Sequence, residues 1–113
     1  MVQFVTNEGS DSVLADLTIT GGNASEPFPA VDGGGILCDF ASPTLSNCVI
    51  RDNLANDDGA GMYSEDGSPT LIDYVFNNNV AVHWSGGLYL LDATPAGTPA
   101  SITRCRFVNN QST

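Results

Sequence analysis

The sequence predicts an all-β solenoid of about four coils, each of about 26 residues, with equivalent strands stacked in parallel. Three observations carry this reading. Gly35, Gly61 and Gly87 recur at one spacing, as do Ile36, Met62 and Leu88. Ser42-Pro43-Thr44-Leu45 returns one period later as Ser68-Pro69-Thr70-Leu71. Short segments alternate apolar and polar with period two, and no window sustains the period near 3.6 that a helix needs.

The 113 residues read as one domain with coils at approximately 2–31, 33–58, 59–84 and 85–113. In the first coil Leu14, Leu17 and Ile19 stand where the second has Leu45, Cys48 and Ile50. Its extra residues lie within 25–30, beside Pro27 and Pro29. The second coil is the best defined, and the third follows it without insertion. The fourth carries about five extra residues within 92–100, a stretch rich in Pro, Gly, Thr and Ala. Both insertions are expected as surface loops, where per-repeat insertions usually go.

Within the coils, segments 17–20, 48–51, 74–77 and 105–108 are expected as strands whose first and third residues point inward. Stacking then makes columns. Ile36, Met62 and Leu88 form one, and Leu14, Leu45, Leu71 and Ile102 another. Leu17, Cys48, Tyr74 and Cys105 form a third, beside Ile19, Ile50, Phe76 and Phe107. Asn53, Asn79 and Asn110 make a column at the following turn, with Gly22 in that place in the first coil. Asn there is expected to take left-handed backbone and to bond along the stack to the next Asn. Gly22 fits the same left-handed position, and the column of Gly35, Gly61 and Gly87 suggests a tight corner.

Charge narrows the partners. Thirteen acidic residues face Arg51, Arg104 and Arg106, with no Lys, for a net charge of -10. Such a chain repels nucleic-acid phosphates and anionic membrane surfaces. No apolar run reaches the roughly 18–20 residues of a membrane span. The first nine residues have neither a basic nor an apolar segment of a signal peptide, and the sequence does not assign a compartment. Cys38, Cys48 and Cys105 show no metal-ligand spacing and read as small buried apolar residues, with a Cys38–Cys48 bridge left open.

Gly34-Gly35-Ile36, Ala60-Gly61-Met62 and Gly86-Gly87-Leu88 resemble the GGA[ILV] half of the repeats in polymorphic outer-membrane proteins. Phe76-Asn77-Asn78-Asn79 and Phe107-Val108-Asn109-Asn110 resemble the FxxN half, and Ile50-Arg51-Asp52-Asn53 is a variant of it. More broadly the chain is similar to right-handed parallel β-helix proteins of bacterial surfaces and secretions, including the pectate-lyase-like superfold. The resemblance covers nearly the whole chain and implies a right-handed parallel β-helix. Family members are usually secreted or at the cell surface and have many more coils. The fold hosts lyases, hydrolases, adhesins and inert stalks, so activity has to be argued from sites.

Catalytic constellations are not apparent. A pectate-lyase-like site needs a Lys or Arg base beside clustered carboxylates, and no carboxylate is expected beside Arg104 or Arg106. Asp57 and Asp58 are adjacent in a turn sequence and are not expected to converge as hydrolytic carboxylates. His83, the single histidine, aligns with Asp57 one coil earlier and reads as a turn residue paired with acidic neighbours. No metal ligand set and no cofactor are expected. Stacked turns are expected to bring Asp32 near Asp58, but calcium needs six to eight oxygens, so a structural calcium is disfavoured. Tyr63 and Tyr89 are stacked equivalents expected to face outward, with Trp84 just before the second of them. These three aromatics are the candidate ligand-binding residues, as a platform for sugar rings.

The expected function is a non-catalytic β-helix module with a structural, adhesive or surface-interaction role, with a polysaccharide as candidate ligand. The alternative is a carbohydrate-active enzyme of lyase or hydrolase type, or an inactive remnant of one. A homodimer through an uncapped solenoid end is expected, because Ile102, Cys105 and Phe107 at one end and Val2, Phe4 and Val5 at the other lack polar caps.

Overall fold

The computed structural model describes residues 1–25, 32–91 and 99–113. Most of both expected insertion loops falls outside these residues. The described residues contain no helix, and therefore none long and apolar enough to cross a membrane. They form four repeats of four short strands. The first repeat holds β1 (Val2–Phe4), β2 (Val13–Ala15), β3 (Thr18–Thr20) and β4 (Asn23–Ala24). The second holds β5 (Ile36–Asp39), β6 (Thr44–Ser46), β7 (Val49–Arg51) and β8 (Leu54–Ala55). In the third are β9 (Met62–Glu65), β10 (Thr70–Ile72), β11 (Val75–Asn77) and β12 (Val80–Ala81). The fourth has β13 (Leu88–Leu91), β14 (Ser101–Thr103), β15 (Arg106–Val108) and β16 (Gln111–Ser112).

Each repeat contributes one strand to each of four sheets, and every pairing is parallel. The first sheet runs β1-β5-β9-β13, the second β2-β6-β10-β14, the third β3-β7-β11-β15 and the fourth β4-β8-β12-β16. The register matches the repeat: Ile36 opposes Met62, Met62 opposes Leu88, and Leu45 opposes both Leu14 and Leu71. This all-parallel arrangement of four sheets is compatible with a β-helix. Val2 also joins the column of Ile36, a pairing hidden in the sequence by the longer first repeat. The fourth sheet went unread in the sequence. Its strands are two residues long, too short to show alternation, yet Ala24, Ala55 and Ala81 pack inward at the repeat spacing, with Ala60 beside them.

The corners explain the punctuation between strands. At each the chain passes through left-handed backbone, with φ between 51° and 69°, at the same place in successive repeats. Phe40 and Asp66 turn the chain from the first sheet to the second, and Asp16, Asn47, Asp73 and Arg104 from the second to the third. Gly21, Asp52, Asn78 and Asn109 serve the next corner, and Gly33, Gly59 and Ser85 return it to the first sheet. Asn, Asp and Gly tolerate this conformation best, which is why they recur.

Two local expectations are corrected here. The left-handed residue is the one before each column Asn, not Asn53, Asn79 or Asn110 themselves, and Gly21 rather than Gly22 takes it in the first repeat. Gly22 is small for a different reason: a Cβ there would lie 1.9 Å from the carbonyl oxygen of Gly34. Likewise Gly35, Gly61 and Gly87 are not left-handed; Gly35 and Gly61 lie against the next layer, and Gly87 against Phe107 and Asn110 of its own. A Cβ on Gly35 would stand 2.5 Å from the Gly61 carbonyl oxygen, and one on Gly61 2.3 Å from that of Gly87.

The core lies between the sheets. Ile36, Leu45, Ile50, Met62, Leu71, Tyr74 and Phe76 are fully enclosed, and the Phe76 and Phe107 rings stack at 4.9 Å. Each such side chain contributes about 1.5–3 kcal/mol by burial. Leu17, Ile102 and Phe107, expected inward, are exposed, because among the described residues an outermost repeat has a covering neighbour on one side only. Cys38, Cys48 and Cys105 are free thiols, so no Cys38–Cys48 bridge forms. Burial pushes the Cys38 thiol up to about 12, which keeps it unreactive. The expectation that Arg104 lacks a carboxylate is overturned. Its left-handed corner stacks on that of Asp73, and the guanidinium grips that carboxylate with Nε at 2.6 Å and a terminal nitrogen at 3.0 Å.

Candidate functional site

The corner leading from the fourth sheet to the first gathers Asp32, Asp57, Asp58 and His83. Residues one repeat apart stack there through both backbone and side chains. Asp58 N–H donates to Asp32 Oδ1 at 3.0 Å, and Trp84 N–H donates to Asp58 Oδ1 at 2.9 Å. Each Asp therefore caps the backbone of the next layer, as the expected approach of Asp32 to Asp58 anticipated. Left-handed Gly33 and Gly59 follow these aspartates, and left-handed Ser85 follows Trp84. That geometry directs the chain back into β5, β9 and β13.

His83 lies one layer from Asp57, as its alignment implied. Its backbone N–H donates to the Asp57 carbonyl at 3.1 Å, and its ring Nδ1 contacts Asp57 Oδ1. That carboxylate raises the His83 pKa above its ordinary value, first through the hydrogen bond and then through charge. Burial raises the Asp32 carboxyl, and the charges of Asp57, Asp58 and Glu65 push it further in the same direction.

Asp57 and Asp58 differ from expectation, because they do converge. A carboxylate oxygen from each and a ring nitrogen of His83 all lie within 4.8 Å of one another. The reason is the layer above: His83 draws the Asp57 side chain and the Trp84 N–H draws that of Asp58. These three side chains can supply one nitrogen and two oxygens to a divalent transition ion. They do not offer the all-oxygen shell that calcium prefers.

The aromatic residues come together, though not as a flat platform. Tyr63 and Tyr89 oppose each other across β9 and β13, with ring centroids 5.1 Å apart and planes within 1°. Leu37 opposes Tyr63 from the other side. The Tyr63 hydroxyl donates to Glu65 Oε2 at 2.8 Å, and burial together with this bond raises its pKa. Rings stacked this closely cover one another's faces and turn their edges to solvent, so a sugar ring cannot lie flat between them. Trp84 is different. Its ring is nearly parallel to that of Tyr89, at 6.3 Å and 9°, but the residue is 65% exposed. It borders a cleft of about 500 Å³ lined also by Asp57, Asp58, Val82, His83 and Thr113.

The cleft thus combines an apolar indole with two carboxylates and an imidazole. Sequence reasoning singled out each residue but not their union, since Trp84 was grouped with the tyrosines and Asp57 and Asp58 were assigned to turn geometry. The signal that unites them is the one-repeat offset of His83 and Trp84 from Asp57 and Asp58. No protein-family model, curated protein or solved structure matches the chain.

Proposed function

We propose that the chain is a right-handed parallel β-helix module without a catalytic role, which binds carbohydrate at the cleft beside Trp84. Four parallel sheets in repeat order support the architectural half of this reading. The observation that carries the binding half is an exposed indole bordering a cleft that also holds Asp57, Asp58 and His83. Sugars suit such a site: their C–H faces pack on aromatic rings, and their hydroxyls donate to carboxylate oxygens. The cleft volume falls in the range of small-ligand pockets, roughly 300–1,000 Å³.

Trp84 is the single tryptophan of the chain, so its emission reports directly on the cleft. Titration with short oligosaccharides is expected to change that emission saturably. Calorimetry is expected to show the binding lost in Trp84→Ala, while the melting temperature stays near that of the parent. Equal calorimetric binding by Trp84→Ala would remove the cleft from consideration.

The convergence of Asp57, Asp58 and His83 favours a second reading, a carbohydrate-active enzyme or its remnant. Against it, both carboxylates lie close together and are engaged, Asp57 with His83 and Asp58 with the Trp84 N–H. Release of new reducing ends that disappears in Asp57→Asn would establish this second reading.

The same proposal includes self-association as a symmetric dimer. Ile102 and Phe107, 46% and 50% exposed, lie on β14 and β15, which among the described residues pair with one neighbouring strand each. Apolar side chains beside unpaired strand edges recruit a second copy.

A further inference from the structure

Resting on the carbohydrate reading above, we infer that the cleft beside Trp84 selects sugars bearing free, protonated amino groups over neutral sugars and excludes uronic acids. The argument starts from how charge is sorted across the fold. All three arginines belong to the third sheet or the corner leading into it. Arg51 ends β7, Arg104 occupies the corner and Arg106 opens β15. Two of them are already paired, Arg51 with Asp52 and Arg104 with Asp73. The chain has no lysine.

The first sheet and the corner leading into it carry the opposite sign. Asp32, Asp57 and Asp58 occupy that corner, and Asp39 and Glu65 end β5 and β9. His83 is the one basic side chain among them, and it is held against Asp57. The raised Asp32 pKa reflects burial first and then the charges of Asp57, Asp58 and Glu65. Negative charge therefore accumulates here without Lys or Arg to balance it.

The ligand chemistry follows from these neighbours. An ammonium group bordering Trp84 gains from the indole face, the strongest of the aromatic partners for a cation. It also gains a charge-assisted hydrogen bond to an Asp57 or Asp58 oxygen, about twice as strong as a neutral one. An N-acetylated sugar of the same shape keeps the ring contact and loses the charge. A uronate places a carboxylate against two others, and the one cationic side chain there, the His83 ring, is already paired with Asp57. The pyranose ring and the amine must act together, because the cleft presents the indole and the carboxylates side by side.

The test compares three short ligands of equal length: triglucosamine, its fully N-acetylated form and trigalacturonate. Trp84 emission is read for the parent and Asp57→Asn, and calorimetry for these two and Trp84→Ala, at a pH where the amines are charged. Triglucosamine is expected to bind the parent roughly tenfold more tightly than the N-acetylated trisaccharide, with trigalacturonate not binding. The ratio is expected to narrow in Asp57→Asn and the binding to vanish in Trp84→Ala. Equal affinity for the first two ligands, or tighter binding of trigalacturonate, overturns the inference and leaves the carbohydrate reading standing. Triglucosamine binding that persists in Trp84→Ala reveals general attraction to an acidic surface and overturns it too. Full retention of the preference in Asp57→Asn also overturns it. No response to any of the three ligands removes the carbohydrate reading itself and this inference with it.

Discussion

Asn79 Oδ1 accepts two hydrogen bonds from Asn53, one from its backbone N–H at 3.1 Å and one from its side-chain amide at 2.9 Å. Asn110 Oδ1 treats Asn79 in the same way, at 3.0 and 2.9 Å. Each side-chain amide also donates to a carbonyl of the preceding repeat, that of Asn79 to Ile50 at 3.0 Å. The ladder thus ties backbone and side chain together through three repeats inside a buried corner. Asn79→Leu removes the acceptor for two buried Asn53 donors and is expected to destabilise by about 1–3 kcal/mol in chemical denaturation. Unchanged unfolding would mean that water replaces the ladder at no cost.

Gly61 tests the close approach of successive layers. An added Cβ meets the Gly87 carbonyl oxygen at 2.3 Å and a Phe76 ring carbon at 2.9 Å. Neither is a flexible chain end, so the layers must separate. Gly61→Ala is expected to cost about 1–3 kcal/mol or more, with loss of thermal stability as the readout. At Gly9, where a Cβ meets nothing within 4 Å, the same change is expected to have little effect.

Phe40 holds a left-handed corner that the next repeat gives to Asp66, with φ 51°, and its side chain is exposed. The side chain gains little from burial while its backbone is strained. Phe40→Gly is expected to raise stability by about 1 kcal/mol, visible as a higher denaturation midpoint.

The pairing of His83 with Asp57 sets a pH dependence. The folded pKa of His83 lies above its usual 6.5 because Asp57 favours the charged ring. Stability from this pair is complete below 6.5 and is lost as pH rises through the folded pKa. As the single histidine, His83 can be followed by proton NMR without ambiguity. Its midpoint is expected above 6.5, and Asp57→Asn is expected to bring it down toward that value.

Association is expected to respond to the outermost strands. Phe107→Glu places a charge on the exposed side of β15. By light scattering at micromolar concentration the parent is expected to be dimeric and the variant monomeric. A monomeric parent would end the proposal of a symmetric dimer.

The repeat register was legible because it is written redundantly, in glycines, in Ser-Pro-Thr-Leu and in the asparagines. Stacking of Tyr63 on Tyr89 and of His83 on Asp57 followed from the same spacing. What the sequence did not disclose were relations set by side-chain direction. No carboxylate was expected beside Arg104, yet its left-handed corner stacks on that of Asp73 and turns the guanidinium onto the carboxylate. Asp57 and Asp58 are neighbours in sequence, and their convergence depends on donors one layer away. The exposure of Trp84 and the mutual covering of the Tyr63 and Tyr89 rings likewise depend on ring orientation, which spacing does not encode.

Residues 59–84 meet the second repeat on one side and the fourth on the other through the same backbone partners, Gly35 N–H to Ala60 O and Gly61 N–H to Gly86 O, both at 2.8 Å. A unit whose two surfaces match one another in this way is a cassette. A second copy of 59–84 placed directly after Trp84 would find every donor and acceptor already set out for it. The cross-section of this protein is therefore closely specified, while its length is left as an independent variable, open to duplication without redesign of any single layer.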